Sequence, residues 1–310
     1  MTVSPIVIFV YRREIQRTID SLLDNDLASE SDVFIFSDGF KNDLDKHDVL
    51  SVRNYLEQIK GFKSLSISYS KVNKGLADSI VFGVSEILNQ YQSVIVIEDD
   101  LIVSRDFLQY MNEALNYYQD QNRIWSISGY GPNLPCLKNY SKNLYLSYRA
   151  SSWGWATWKD RWDSVDWLSQ DFHQFKKDSN LRKNFDLGGN DMFRMLELQM
   201  LGKIDSWAIR WCFSQFLQEK YSIYPTKSKV INIGFDDSKG THNGTDKNQI
   251  HSLTSENKWK VSLDETKVEF FELKLDRNII KCFKKFHDKN FISIIGFVLK
   301  KKGGYRFFNK

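Results

Sequence analysis

Val94–Leu108 reads VIVIEDDLIVSRDFL. Its first four residues are all β-branched and apolar, as a strand buried on both faces of a parallel sheet requires. The run leads straight into Glu98, Asp99 and Asp100, and the spacing that follows predicts a helix from Asp106 to Tyr118. Three successive carboxylates at the end of a buried strand repel one another unless a cation sits among them. A divalent ion with oxygen ligands, Mn2+ or Mg2+, would relieve that repulsion and bridge two phosphates. An acidic strand end that merely caps the next helix is the other reading.

Upstream of this stretch, strand and helix alternate. Pro5–Tyr11 (PIVIFVY) reads as a buried strand and is followed by Ile15, Ile19, Leu22 and Leu23 on one helical face. Val33–Ser37 is a second strand, ending in Asp38-Gly39, with a helix expected over Val49–Ile59. Leu65–Ser70 is a third strand, and Gly75–Leu88 a helix with Leu76, Ile80, Val84 and Ile87 in register. Four such units predict an α/β fold with an open, mostly parallel, Rossmann-like sheet flanked by helices. Ligands of such sheets sit at the carboxyl ends of the strands, so Arg12, Arg13, Asp38, Asn73, Lys74, Asp99 and Asp100 should converge on one edge.

Downstream the pattern is less regular. Ile124–Gly129, Leu144–Tyr148 and Lys229–Ile233 look like strands, and Asp191–Leu201 and Trp211–Leu217 like helices. Ser151–Trp167 is rich in Trp, and Phe235–Gly244 is a polar, Gly-containing loop. The expected division is a single catalytic domain over residues 1–262, with 1–120 its nucleotide half and 121–262 its acceptor half. Residues 263–310 form a basic amphipathic extension.

With 42% hydrophobic and 26% charged residues in 310, the composition is that of a folded chain. A net charge of +4 is too small for a nucleic-acid-binding surface. The basic residues concentrate from Arg277 to Lys310, interleaved with aromatics. This is either a peripheral anchor to the anionic inner face of a membrane or a packed helix with a solvated basic face. Phe291–Leu299, at nine residues, is too short to cross a bilayer. Cys136, Cys212 and Cys282 match neither a metal-ligand spacing nor a disulfide framework, and no secretory signal is evident, so the cytoplasm is the expected compartment.

In combination these motifs resemble the GT-A glycosyltransferases. The resemblance is nearest to the N-acetylglucosaminyltransferase I-like group and to similar bacterial surface-polysaccharide transferases. It rests on Val10–Arg13 (VYRR), Phe36–Asn42 (FSDGFKN), Asn73–Ile80 (NKGLADSI) and the EDD run, in that order, and covers roughly residues 5 to 245. It implies an inverting, metal-dependent transfer from a UDP-sugar to a glycan or lipid-linked glycan hydroxyl. Arg12 or Arg13, Asp38, Lys74 and Asp99 are then the donor contacts, and Asp100 the direct metal ligand. Ser151–Trp158 (SSWGWATW) resembles the family's glycine-containing loop, which makes Gly154 and Trp155 donor-site residues. Asp205, beside Trp207, is the expected catalytic base and Asp191 the reserve. The family carries two successive acids before that Trp, whereas here Ser206 follows Asp205. His242 is expected to return to the metal, which favours Mn2+.

Two other classes compete. A nucleotidyltransferase also uses a parallel sheet and an acidic metal site, but needs a Gly-rich loop where this chain has VYRRE. A non-catalytic sugar-binding protein on a decayed transferase fold is the second.

Overall fold

The structure, a computed structural model, describes residues 3–13, 15–234 and 267–287. The apolar runs form β1 (Ile6–Val10), β2 (Asp32–Ser37), β3 (Ser64–Tyr69) and β4 (Ser93–Glu98). Every residue of β1 is buried, whereas β3 turns Ser64, Ser66 and Ser68 to solvent because it forms the sheet edge. Helices α1 (Gln16–Leu23), α2 (Asp43–Leu56) and α3 (Leu76–Leu88) follow β1, β2 and β3 in turn. α2 starts at Asp43 rather than Val49, because the Asn42 side chain accepts the Leu44 and Asp45 N–H groups at 3.0 and 3.3 Å and caps the helix there. After β4 come the short strand β5 (Leu101–Val103) and α4 (Phe107–Tyr118).

The later strands are β6 (Ile124–Ser128), β7 (Leu144–Ser147), β8 (Trp155–Trp158), β9 (Tyr221–Pro225) and β10 (Val230–Asn232). Between β8 and β9 lie α5 (Lys159–Asp163), α6 (Phe172–Phe175), α7 (Ser179–Phe185), α8 (Met192–Met200) and α9 (Trp207–Leu217). Among the described residues the main sheet has eight strands in the order β3-β2-β1-β4-β8-β6-β9-β7, of which β8 and β7 run against the others. This is the mostly parallel α/β architecture expected. β10 leaves the sheet and pairs antiparallel with β5, Asn232 opposite Leu101.

Alternation along β1 divides the interior. Ile6, Ile8 and Val10 join a core with α1 and α4, while Val7 and Phe9 face α3, α9 and the tryptophans. On that second face Trp155 packs against Trp211, Trp207 and Trp162, with ring centroids 4.4, 5.1 and 5.7 Å away. The buried indole N–H groups of Trp125, Trp155 and Trp211 have no hydrogen-bond partner among the described residues, an unusual concentration of unmet donors. The large apolar area of the stacked rings offsets that cost.

Residues 267–287 return to the first core. Tyr118 donates its O–H to the Phe271 carbonyl at 2.9 Å, and Phe270 stacks on Tyr110. A helix over 277–287 begins at Asp276, whose side chain accepts the Asn278 and Ile279 N–H groups at 2.8 and 3.1 Å. It lays Ile279 and Phe283 against Tyr145 and Tyr224. Among the described residues no helix is long and apolar enough to cross a membrane.

Candidate active site

The chain runs outward from β1 through β2 to β3 and then returns to the other side of β1 to lay down β4. The strand order therefore reverses between β1 and β4, and a crevice opens beyond the carboxyl ends at such a reversal. Tyr11, Arg12 and Arg13 leave β1 at that point, and Glu98, Asp99 and Asp100 leave β4. The Tyr11 N–H donates to Asp99 Oδ2 at 3.3 Å, and Arg13 forms a short ion pair with Asp100. The Asp99 carbonyl accepts the Thr18 hydroxyl at 2.9 Å, which fixes the turn to α1.

The acids are crowded. Burial, then Asp100 and Asp99, raise the Glu98 carboxyl well above its ordinary range, with Arg13 opposing. Burial and Asp100 likewise push Asp99 up to about 7. Crowded oxygen donors of this kind suit a hard divalent cation. Among the described residues no group of three or more His, Cys, Asp or Glu side chains converges on one point. The Asp99 and Asp100 carboxylates at this turn fit an ion such as Mg2+ or Mn2+ that takes one or two carboxylates and also binds water and phosphate oxygen.

The β5–β10 ribbon brings a third segment here. The Ile233 N–H donates to the Asp100 carbonyl at 2.8 Å, and Asn232 Nδ2 reaches Asp100 Oδ1 at 3.4 Å. A side chain at Gly234 would meet the Asp100 carboxylate and the Arg13 guanidinium, so the backbone of this segment runs close to both charged groups. His242, farther along the same segment, lies outside the described residues, as does the rest of the polar loop Phe235–Gly244.

Next along the edge, Asp38 organises the loop before α3. Its carboxylate accepts the backbone N–H groups of Gly39, Lys74 and Gly75 at 2.9, 2.9 and 3.0 Å, and Asn73 Nδ2 at 3.0 Å. Asp38 thus shapes the loop that presents Lys74. The Lys74 ammonium lies 4.0 Å from the centre of the Phe82 ring, beside a groove of about 250 Å³ that Asp38, Ser70, Lys74 and Phe82 help to line. Asp205 arrives at the same loop from the second half of the chain, its Oδ2 4.0 Å from the Cβ position of Gly75. Its side chain is 65% exposed and lies 3.7 Å from Arg210. Ser206 is the N-cap of α9 and accepts the Ile209 N–H at 3.4 Å, which accounts for a hydroxyl at that position.

Three expected site residues belong to the core. Trp155 is fully buried in β8 among other indoles and forms no wall of a cleft. Gly154, at φ +56°, allows a close approach, but to protein: a Cβ there would meet Val230 at 2.8 Å and Phe107 at 3.3 Å. Asp191 is buried and takes both guanidinium arms of Arg149, at 2.7 and 2.9 Å. Burial works to raise its carboxyl, but Arg149 prevails and holds it below the usual range. A carboxylate so paired is closed to an acceptor hydroxyl. It also makes no capping bond to α8.

Two positioning residues escaped the sequence reading. Buried Asp45 accepts the Tyr11 hydroxyl at 2.8 Å and pairs with Arg12, so Arg12 is anchored to α2. Arg53 donates to the Ser37, Asp38 and Ser70 carbonyls at 3.3, 3.0 and 2.8 Å and ties the ends of β2 and β3 together. Its signal was a charge one turn after Val49, on the buried stripe that continues through Val52 and Leu56.

No family model and no curated protein matches the chain. Among solved structures it is similar to a mannosyltransferase from Pyrobaculum calidifontis in complex with GDP-Man and Mn2+, at 12% identity and TM-score 0.38, over 51% of this chain and 45% of that one. It is similar to the galactosyltransferase LgtC in complex with donor and acceptor sugar analogues at 10% identity and TM-score 0.33, over 56% and 65%. A UDP-glucose pyrophosphorylase complexed with UDP-glucose matches at 14% identity and TM-score 0.35, over 73% and 91%. Both glycosyltransferases and nucleotidyltransferases thus stand among the neighbours, and the chain spans less than two thirds of the two glycosyltransferases' own lengths. Likenesses at these scores carry no weight for function, which has to come from the geometry of the chain itself.

Proposed function

We propose that the chain is an inverting glycosyltransferase that uses a UDP-sugar, such as UDP-GlcNAc or another UDP-hexose, and a divalent metal. The acceptor in this reading is the hydroxyl of a glycan or lipid-linked glycan, in the synthesis of a surface polysaccharide. The observation that carries it is the crowded acidic turn at the β1/β4 reversal, with an open carboxylate, Asp205, on the loop at the neighbouring strand end.

Asp100, with Asp99 beside it, would hold Mn2+ or Mg2+, which when bound supplies positive charge against the departing diphosphate. Arg13 lies against the same carboxylate and is placed to share its charge with a phosphate oxygen. Lys74 offers a second cation at the next strand end. Asp38 and Arg53 hold the loops that position Lys74 and Gly75. Asp205, exposed and next to Gly75, takes the proton of the acceptor hydroxyl as that oxygen attacks the anomeric carbon. The exposed basic residues Arg277, Lys281 and Lys285 support a peripheral contact with an anionic membrane surface.

A turnover screen of UDP-sugars with Mn2+ tests this reading. Slow release of UDP from one donor, reduced about a hundredfold or more in Asp205→Asn when the acceptor is supplied, is expected. Pyrophosphate release from UTP and a sugar phosphate, with no UDP from any donor, would establish a nucleotidyltransferase instead.

A further inference from the structure

Cys136 and Cys282 are far apart in sequence and adjacent in the fold. Cys136 lies in the 3-10 turn Pro135–Asn139 between β6 and β7, and Cys282 in the middle of the 277–287 helix. Both side chains are partly exposed and pack on one small apolar cluster that includes Leu134, Tyr145 and Phe283. The Cys282 thiol is near enough to help burial raise the Cys136 thiol. Cys212 is different: it is buried, with Sγ 3.9 Å from the Ala150 carbonyl oxygen.

We propose that Cys136 and Cys282 are a reversible disulfide site, closed by exchange with a low-molecular-weight disulfide such as oxidised glutathione. The Cys282 thiolate attacks one sulfur of the small disulfide, forms a mixed disulfide and releases one thiolate. Cys136 then attacks Cys282 Sγ and expels the second thiolate. Two protein thiols are oxidised to one disulfide, one small disulfide is reduced to two thiols, and the two protons pass to the released thiolates. Burial, then the Cys282 contact, push the Cys136 thiol up to about 12, which leaves Cys282 as the first attacker. Each partner is already anchored. Ile279 and Phe283 hold the helix against Tyr145 and Tyr224, and the turn is closed by Leu137 N–H to Leu134 O at 3.0 Å. The bridge would tie the last described helix to the β6–β7 turn, staying open in a reduced thiol pool and closing on oxidation.

The test is peptide mapping of the full-length native chain after incubation with oxidised glutathione and quenching by alkylation. The expected product has lost two hydrogens, joins the Cys136 and Cys282 peptides, reverts with dithiothreitol and leaves Cys212 unmodified until the protein is unfolded. Its thermal midpoint should rise by roughly 5 °C. Cys136→Ser should instead accumulate a single glutathione adduct on Cys282. Separate glutathione adducts on both cysteines of the wild type, a bridge involving Cys212, or no reaction at either thiol would each overturn the proposal. The wild-type map decides the matter even if the variant fails to fold.

Discussion

Two aspartate–arginine pairs, Asp191 with Arg149 and Asp100 with Arg13, look alike in a list of contacts and differ in what surrounds them. Around Asp191 the charges match. One carboxylate meets one guanidinium through two hydrogen bonds, both are largely buried, and glycine at position 189 lets the backbone close over them. Around Asp100 the acids crowd, because Asp99 and Glu98 stand beside the Asp100–Arg13 pair and burial with mutual repulsion pushes both of their carboxyls up. A balanced buried pair fixes structure and has nothing left to offer a ligand. An unbalanced cluster at a strand-order reversal costs stability by itself, and an incoming cation would recover it.

The largest effect should come from breaking the balanced pair. Asp191→Ala leaves the Arg149 charge buried and unpaired, and should cost about 3–5 kcal/mol in equilibrium urea unfolding. A loss under about 1 kcal/mol would show that the pair is not the anchor described.

A smaller effect should follow from acid, through His287, which lies beside the same pair. Burial, with Arg149 adding to it, lowers its imidazole to about 3. The unfolded chain takes that proton near pH 6.5 and the folded one only near 3, so stability falls as pH drops across this window. This group's share is at most about 1.4 kcal/mol per pH unit. His287→Gln should flatten the decline measured by urea titration at pH 7, 6 and 5; an unchanged slope would assign the decline to other groups.

The smallest change is expected at the unbalanced cluster. Asp99→Asn removes a repelled charge, so the metal-free protein should keep its stability within about 1 kcal/mol or gain slightly. A loss comparable to that of Asp191→Ala would erase the distinction between the two regions.

The first half of the fold was legible because strands buried in a parallel sheet are uninterrupted apolar runs, and Ile6–Val10 and Val94–Ile97 are such runs. β8 was not, because the run WATW reads equally well as the walls of a sugar site and as a core strand, and only the packing of Trp155 on Trp207 and Trp211 decides. β5 has three residues, too few for any period to show, whereas β10 falls within the strand expected over Lys229–Ile233. At the site, the acids announced themselves by residue type and their position after a strand. Their partners could not, since Asp45 and Asn232 reach the β1/β4 crevice only through α2 and the β5–β10 ribbon, from far along the chain. Asp205 was singled out by its place in a motif, and the structure sets it near Gly75.

Calorimetric titration of UDP into the protein with Mn2+, with EDTA, and with Asp100→Asn tests the central claim, that the crowded acidic turn is a metal–diphosphate site. Binding that requires Mn2+ and weakens at least tenfold in Asp100→Asn, with Asp191→Asn still able to bind wherever it remains folded, is the predicted result. UDP binding of equal strength in EDTA or in Asp100→Asn, or none by the folded wild type with Mn2+ present, would contradict it.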